Sequence, residues 1–316
     1  MIKKPAILLL IIFAFVISLN ETAQSQACCG RVTLPTSGIE QRPLLKNQFE
    51  IRLDYENSYM GKTLLDSESI DDPLSRNNRT NVISISATYG ITERLSAVMA
   101  VPFKWTRLSI LEDRVIRKTS GIGDIVILSK FRLFAPVSPR MPEFALGLGI
   151  KIPTGDYDQS DYFGVMSASQ QVGTGAFDFL ASAHYSQLIS DFNIFSSVIF
   201  RMPTKNDRGY KFGNEFEMRV ATQYIGLSEY VTPNLGVHAR LSARSEYDGS
   251  PLNSYGGGAY RDSGGEWIYI NSGFEIRPIK SMGFNFELSI PVYNRVNGRQ
   301  ISETITLRLA TSFSRL

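Results

Sequence analysis

Strict alternation of apolar and polar side chains, repeated along most of the chain, restricts what this sequence can become more than any other feature. From Phe49 to Tyr59 one set reads Phe49, Ile51, Leu53, Tyr55, Asn57, Tyr59 and the other Glu50, Arg52, Asp54, Glu56, Ser58. A helix would mingle these sets, whereas a strand sends them to opposite faces. The same pattern sets Leu95, Ala97, Met99, Val101, Phe103 and Trp105 against Ser96, Val98, Ala100, Pro102 and Lys104. It returns with Phe144–Ile152, with Met282–Val292, and in a last segment placing Ile301, Ile305, Leu307, Leu309 and Phe313 on the apolar side.

Twelve such segments are predicted, at 47–60, 79–90, 94–107, 122–134, 143–153, 171–187, 192–203, 213–225, 235–247, 266–278, 282–294 and 300–313. Most run well past the five or six residues of a soluble strand and suit a tilted crossing of a bilayer. Connections after even-numbered segments are short, and most after odd-numbered ones are long. The exception is 295–299, with the hairpin pair Asn297-Gly298. These features predict an all-β fold, an antiparallel transmembrane β-barrel of about twelve strands, or ten or fourteen if a hairpin is split or merged. A soluble β-sandwich would share the alternation but explains neither the strand length nor the loop asymmetry.

The N-terminus predicts export. Lys3 and Lys4 precede the apolar run Pro5–Leu19, and Ser25-Gln26-Ala27 is a small-residue exit, the pattern of a secretory signal peptide over 1–27. Residues 28–46 then form a periplasmic segment and 47–316 the barrel, in the outer membrane of a Gram-negative bacterium. The two cysteines, Cys28 and Cys29, sit beside the cut, so no disulfide supports the body of the fold. Their role stays open between plain cleavage, lipidation and soft-metal capture. With 33 Lys+Arg against 30 Asp+Glu, bulk charge gives no reason to expect a nucleic-acid partner. The partners expected are outer-membrane lipids and small-molecule solutes.

Three segments carry a resemblance: Gly121-Ile122-Gly123-Asp124, Gly147–Ile150 with Lys151-Ile152-Pro153-Thr154-Gly155-Asp156, and Gly173-Thr174-Gly175 before Phe177-Asp178-Phe179. In order and spacing the chain resembles the outer-membrane family named for the meta-pathway of phenol degradation. That resemblance implies a channel for hydrophobic or aromatic compounds. The chain departs from a common barrel pattern by ending in Leu316 and not an aromatic residue, with Phe313 in phase with the lipid-facing set.

No enzyme motif, resident metal or cofactor is expected. His184 and Ser186 face inward near the short turn 188–191, the wrong face and depth for a lipid-cleaving pair, and His238 shares no metal motif with them. Gly256-Gly257-Gly258 is loop punctuation. The candidate pore-lining residues are Arg52, Asp54, Lys130, Arg132, Asp178, Glu217, Arg219, Arg240, Glu287 and Arg308, all on polar faces with Asp124, Lys151, Arg201, Glu215 and Arg244. Near balance of sign predicts either cross-strand ion pairs that plug the lumen or a wetted, mixed-charge passage.

Overall fold

The computed structural model describes residues 42–134, 140–247 and 262–315. The expected signal peptide, Cys28, Cys29 and Gly256–Gly258 lie outside them. Twelve antiparallel strands form a closed barrel. They are β1 (Phe49–Leu65), β2 (Asn77–Gly90), β3 (Leu95–Ile110), β4 in two pieces (Val115–Ile122 and Ile125–Phe134), β5 (Glu143–Ile152) and β6 (Asp178–Ile189). The circuit continues with β7 (Phe192–Pro203), β8 (Glu215–Tyr224), β9 (Val231–Ser242), β10 (Gly265–Ile279), β11 (Met282–Val296) and β12 (Arg299–Arg315). Each strand pairs with its sequence neighbour, and β12 pairs back onto β1 from Phe49↔Arg315 to Leu65↔Arg299. Closure leaves no sheet edge along this seam, which hydrocarbon surroundings require.

The alternation reads out as expected. Ile51, Ile85, Met99, Phe131, Leu148, Phe179, Val237, Ile270, Phe284 and Leu309 all point outward and are exposed. Water would penalise so continuous an apolar surface, whereas lipid tails would not. Aromatic pairs mark the short-turn rim: Phe49 with Phe313, Phe144 with Tyr185, Phe192 with Tyr224.

Four expectations need correction. The stretch 171–177, predicted as part of the sixth strand, is loop, and that strand begins at Asp178. The long connection expected after the third strand is only a tight turn: β3 and β4 extend to Ile110 and Val115, with Leu111, Glu112 and Asp113 in the left-handed region. Arg244 lies beyond the end of β9 and is exposed, because the ninth strand starts and stops earlier than predicted. Ile301 is buried against Met60 and Leu108, not lipid-facing. A bulge causes this: Tyr59 pairs with Ile305 but Met60 with Glu303, so Thr304 is displaced and the phase of β12 flips above it.

The barrel wall is uneven. β1, β10, β11 and β12 run 15 to 17 residues, whereas β5 and β8 run 10. The upper piece of β4 pairs only with β3 within the sheet, since β5 ends at Ile152 opposite Ile125. The loop 153–177 covers the open edge: the Gln159 side chain accepts from the Ser120 amide and donates to its carbonyl.

Candidate functional site in the lumen

Strand β4 breaks at Gly123-Asp124, and the break is tied by all three segments that carried the resemblance. Asp124 Oδ1 accepts the Gly155 amide at 3.0 Å, and Oδ2 accepts the Thr174 amide at 3.0 Å and its hydroxyl at 2.8 Å. Lys151 Nζ lies 2.6 Å from the same oxygen and donates also to Thr174 Oγ1 and the Ala176 carbonyl. A Cβ on Gly155 would sit 2.8–2.9 Å from backbone atoms of Gly173 and Gly123, so only glycine fits. Hence 153–177 folds inward, with Met166, Gln170, Gln171 and Val172 buried. Lys104 caps it by donating to the Ser169 and Gln171 carbonyls. At its outer end Arg117 forks onto both carboxylate oxygens of Asp161 at 2.8 Å. That hydrogen bond, outweighing the effect of burial, holds the Asp161 carboxyl below its ordinary range.

The two sides of the lumen differ. On β3, β4, β6 and β7 the inward residues Val98, Val126, Leu128, Leu180 and Ile199 form an apolar cluster. Gly149 on β5 makes room for it, because a Cβ there would lie 2.7 Å from Leu128 Cδ1. From β8 round to β1 ion pairs cross the lumen beside the buried Leu64, Trp267, Tyr269 and Val296. Arg219 pairs with Glu287, which also meets Arg308 at 3.2 Å; Arg308 reaches Glu56 at 2.8 Å. Arg240 pairs with Glu303 at 3.2 Å and stacks 4.1 Å over Trp267, while Tyr269 donates to Glu303 at 2.6 Å. His238 lies 3.2 Å from Glu217.

Two of these pairs join strands that are not neighbours. Arg219 (β8) to Glu287 skips two strands, as does Arg240 (β9) to Glu303 on β12. They are chords across the lumen.

Below them opens a vestibule of about 670 Å³ at the short-turn mouth. Six basic groups line it (Arg42, Arg52, Arg219, Arg277, Lys280, Arg308) and six acidic ones (Glu50, Asp54, Glu56, Glu229, Glu275, Glu287), so its walls carry no net charge. Leu44 and Arg42 reach it from the segment before β1, which Arg132 pins through the Pro43 carbonyl.

The ten candidate residues therefore divide. Arg52, Asp54, Arg219, Glu287 and Arg308 line the vestibule. Glu217 and Arg240 belong to the ionic layer above it. Asp178 bridges Lys151 and Arg201, Arg132 is locked to Glu143 at 2.8 Å, and Lys130 is wholly buried. Sequence reasoning missed Glu303, whose phase the bulge conceals, and Lys104, whose partner carbonyls leave no mark in a sequence. His184 hydrogen-bonds Ser182 within the lumen, and Ser186 lines the vestibule. Among the described residues no group of three or more His, Cys, Asp or Glu could hold a metal ion.

A closed antiparallel sheet with an apolar exterior and an ionic interior defines a transmembrane β-barrel with an internal polar cavity. The chain belongs to the family described as "Putative MetA-pathway of phenol degradation", whose model matches residues 74–241, the span that contains the tied break in β4. Among solved structures, an outer membrane channel from Pseudomonas putida F1 aligns at a TM-score of 0.68 with 13% identity, over 86% of this chain and 97% of that one. At that identity the likeness establishes the fold. The translocator domain of the autotransporter NalP from Neisseria meningitidis aligns at 0.45 with 8% identity, over 89% and 92%. The toluene transporter TodX from P. putida aligns at 0.42 with 10% identity, over 85% and 90%. No curated protein matches the chain in sequence.

Proposed function

We propose that this barrel is an outer-membrane channel of a Gram-negative cell that passes small molecules passively, with its chain ends and short turns in the periplasm. Residues 1–27 act as the export signal and 28–46 as a periplasmic lead-in. The observation that carries the reading is the vestibule: an apolar-walled barrel encloses about 670 Å³ of ion-lined space open at one mouth. The family's link to phenol degradation and the channel named in the P. putida structure support it. A vestibule in which Phe195, Ile225 and Met282 stand among the charged groups suits an amphipathic cargo, an aromatic ring bearing a polar group.

The chords favour a second reading, a barrel plugged by its own ion pairs. Planar-bilayer recording of folded protein separates the two. The channel reading expects discrete steps of small conductance with little ion bias. Arg219→Ser or Glu303→Gln, each cutting a chord, raises the conductance, and Arg219→Glu moves selectivity toward cations. Silence from verified folded protein and from both chord variants leaves the plugged barrel.

A further inference from the structure

We propose that the outer face of β2, β3 and the upper piece of β4 binds a phosphorylated glycolipid headgroup, that of lipid A, through Arg79, Arg107 and Lys118. This rests on the outer-membrane orientation above but not on transport.

Arg79 on β2 pairs with Arg107 on β3, which pairs with Lys118 on the upper piece of β4. All three are exposed and lie in phase with the lipid-facing residues of their strands. Three cations directly opposite one another across adjacent strands repel, and a sheet gains nothing from such a row by itself. Adjacent strands lie about 4.8 Å apart, so the row spans roughly 10 Å.

Among the described residues one carboxylate forms an ion pair with it, against three cations. Asp113 meets Arg107 at 3.5 Å with both groups half exposed, and Arg79 lies 5.7 Å over the Tyr59 ring. On β10 and β11, at the same end, the outward Arg295 stands opposite Glu266.

Its position along the strands names the ligand. Outward residues on β2 run Tyr89, Ala87, Ile85, Ile83, Asn81, Arg79, and on β3 they run Ala97, Met99, Val101, Phe103, Trp105, Arg107. The order is aliphatic, then aromatic or amide, then cationic. Tyr55 stacks on Trp105 and donates to Asn81 at 2.9 Å, forming a girdle just below the row. Ten residues separate Tyr89 from Arg79, about 26 Å of membrane depth for a strand tilted by roughly 40°. That places the cations one headgroup above the apolar band, at the long-loop end. A group there must carry concentrated negative charge and acyl chains that lie along Ile83, Ile85 and Val101. A bisphosphorylated glycolipid meets both demands, and guanidinium forks fit phosphate oxygens.

The test is titration of the full folded protein in micelles with bisphosphoryl lipid A, read by native mass spectrometry. Wild type should bind lipid A, should bind the dephosphorylated lipid about tenfold more weakly, and should not be saturated by inorganic phosphate, since one charge-assisted hydrogen bond is worth about a factor of ten. The Arg79→Gln/Arg107→Gln/Lys118→Gln variant should lose a similar factor, and the Glu266→Gln/Arg295→Gln control should lose none. If the triple variant gives no heat-modifiable folded band, Lys118→Gln alone should lose about two- to threefold. Equal affinity in wild type and variant, or equal binding of the dephosphorylated lipid, overturns the site, and displacement by inorganic phosphate alone overturns its assignment to a lipid. Conductance of the same preparations keeps the readings apart, because a silent wild type that binds lipid A defeats only the channel.

Discussion

The two walls of the lumen are held by opposite physics. The wall from β3 to β7 interlocks Val98, Leu128, Leu180 and Ile199 over glycines, and each contact within that cluster is local and non-directional, whatever ion pairs lie above and below it. The wall from β8 round to β1 is held by ion pairs whose members must all be present, because a buried charge that loses its partner cannot recover its hydration. The apolar wall should therefore fail gradually and the ionic wall abruptly. Gly123, Gly155 and Gly173, with Asp124 and Lys151, form the joint between the sheet and the in-folded loop, and it behaves like the ionic wall.

The largest effect is expected at that joint. Asp124→Ala strips Lys151, Gly155 and Thr174 of their common acceptor and should cost about 4 kcal/mol, measured by urea unfolding in micelles. Limited proteolysis should then cut within 153–177 first. An unchanged midpoint and cleavage pattern would mean that the tie does not hold the loop.

Leu128→Ala tests the apolar wall and should cost about 3 kcal/mol, with Gly149→Ala in the same background adding to the loss, because its Cβ would still lie 2.6 Å from the Ile127 carbonyl oxygen. Recovery by the second change would mean that the Leu128 side chain, and not the strand backbone, occupies the room beside Gly149.

Glu287→Gln leaves Arg219 and Arg308 short of an anion and should cost about 2 kcal/mol, less than at Asp124 because the vestibule admits water. The double change Arg219→Met/Glu287→Met should cost less than Glu287→Gln alone. A double loss equal to the sum of single losses would show the chord to be no unit at all.

The smallest effect is acid release of the loop. The Asp161 carboxyl is held below its ordinary value, so its contribution is complete above the unfolded carboxylate pKa near 3.9 and fades as pH falls through the lowered folded value. Protease protection of 153–177 should persist at pH 5 and weaken only in stronger acid, and Arg117→Gln should remove that dependence with under about 1 kcal/mol of global change. Loss of protection already at pH 5 would assign the loop's hold to another group.

How much of this was legible follows from what each feature depends on. Twelve strands and their facing could be read because a two-residue period is written in consecutive positions, as at Leu95–Trp105. The joint was visible only as three glycine-bearing segments; that they meet depends on a backbone approach which no side chain announces. The apolar wall was hidden in plain sight, since Val98, Leu180 and Ile199 fall on faces that count as polar by alternation. Ile301 was misplaced and Glu303 missed because a bulge costs one residue of phase and has no composition of its own. The chords could not be read at all, since pairing across a lumen is set by barrel width and not by spacing.

The seam between β1 and β12 also has a kinetic consequence. Every other strand pair is joined by its own connection, so its ends start close and their closure is entropically mild. The seam joins residues about 250 positions apart, as in Ser58 with Thr306 and Glu56 with Arg308, and no turn sets its register. It is the step that must wait for the whole chain, and a two-residue slip there would preserve every inward and outward face. What forbids that slip is the irregularity at Tyr59–Lys62: a displaced Thr304 opposite a displaced Gly61 can form in one alignment only. The flaw in the ladder is thus the key that lets the last strand recognise the first.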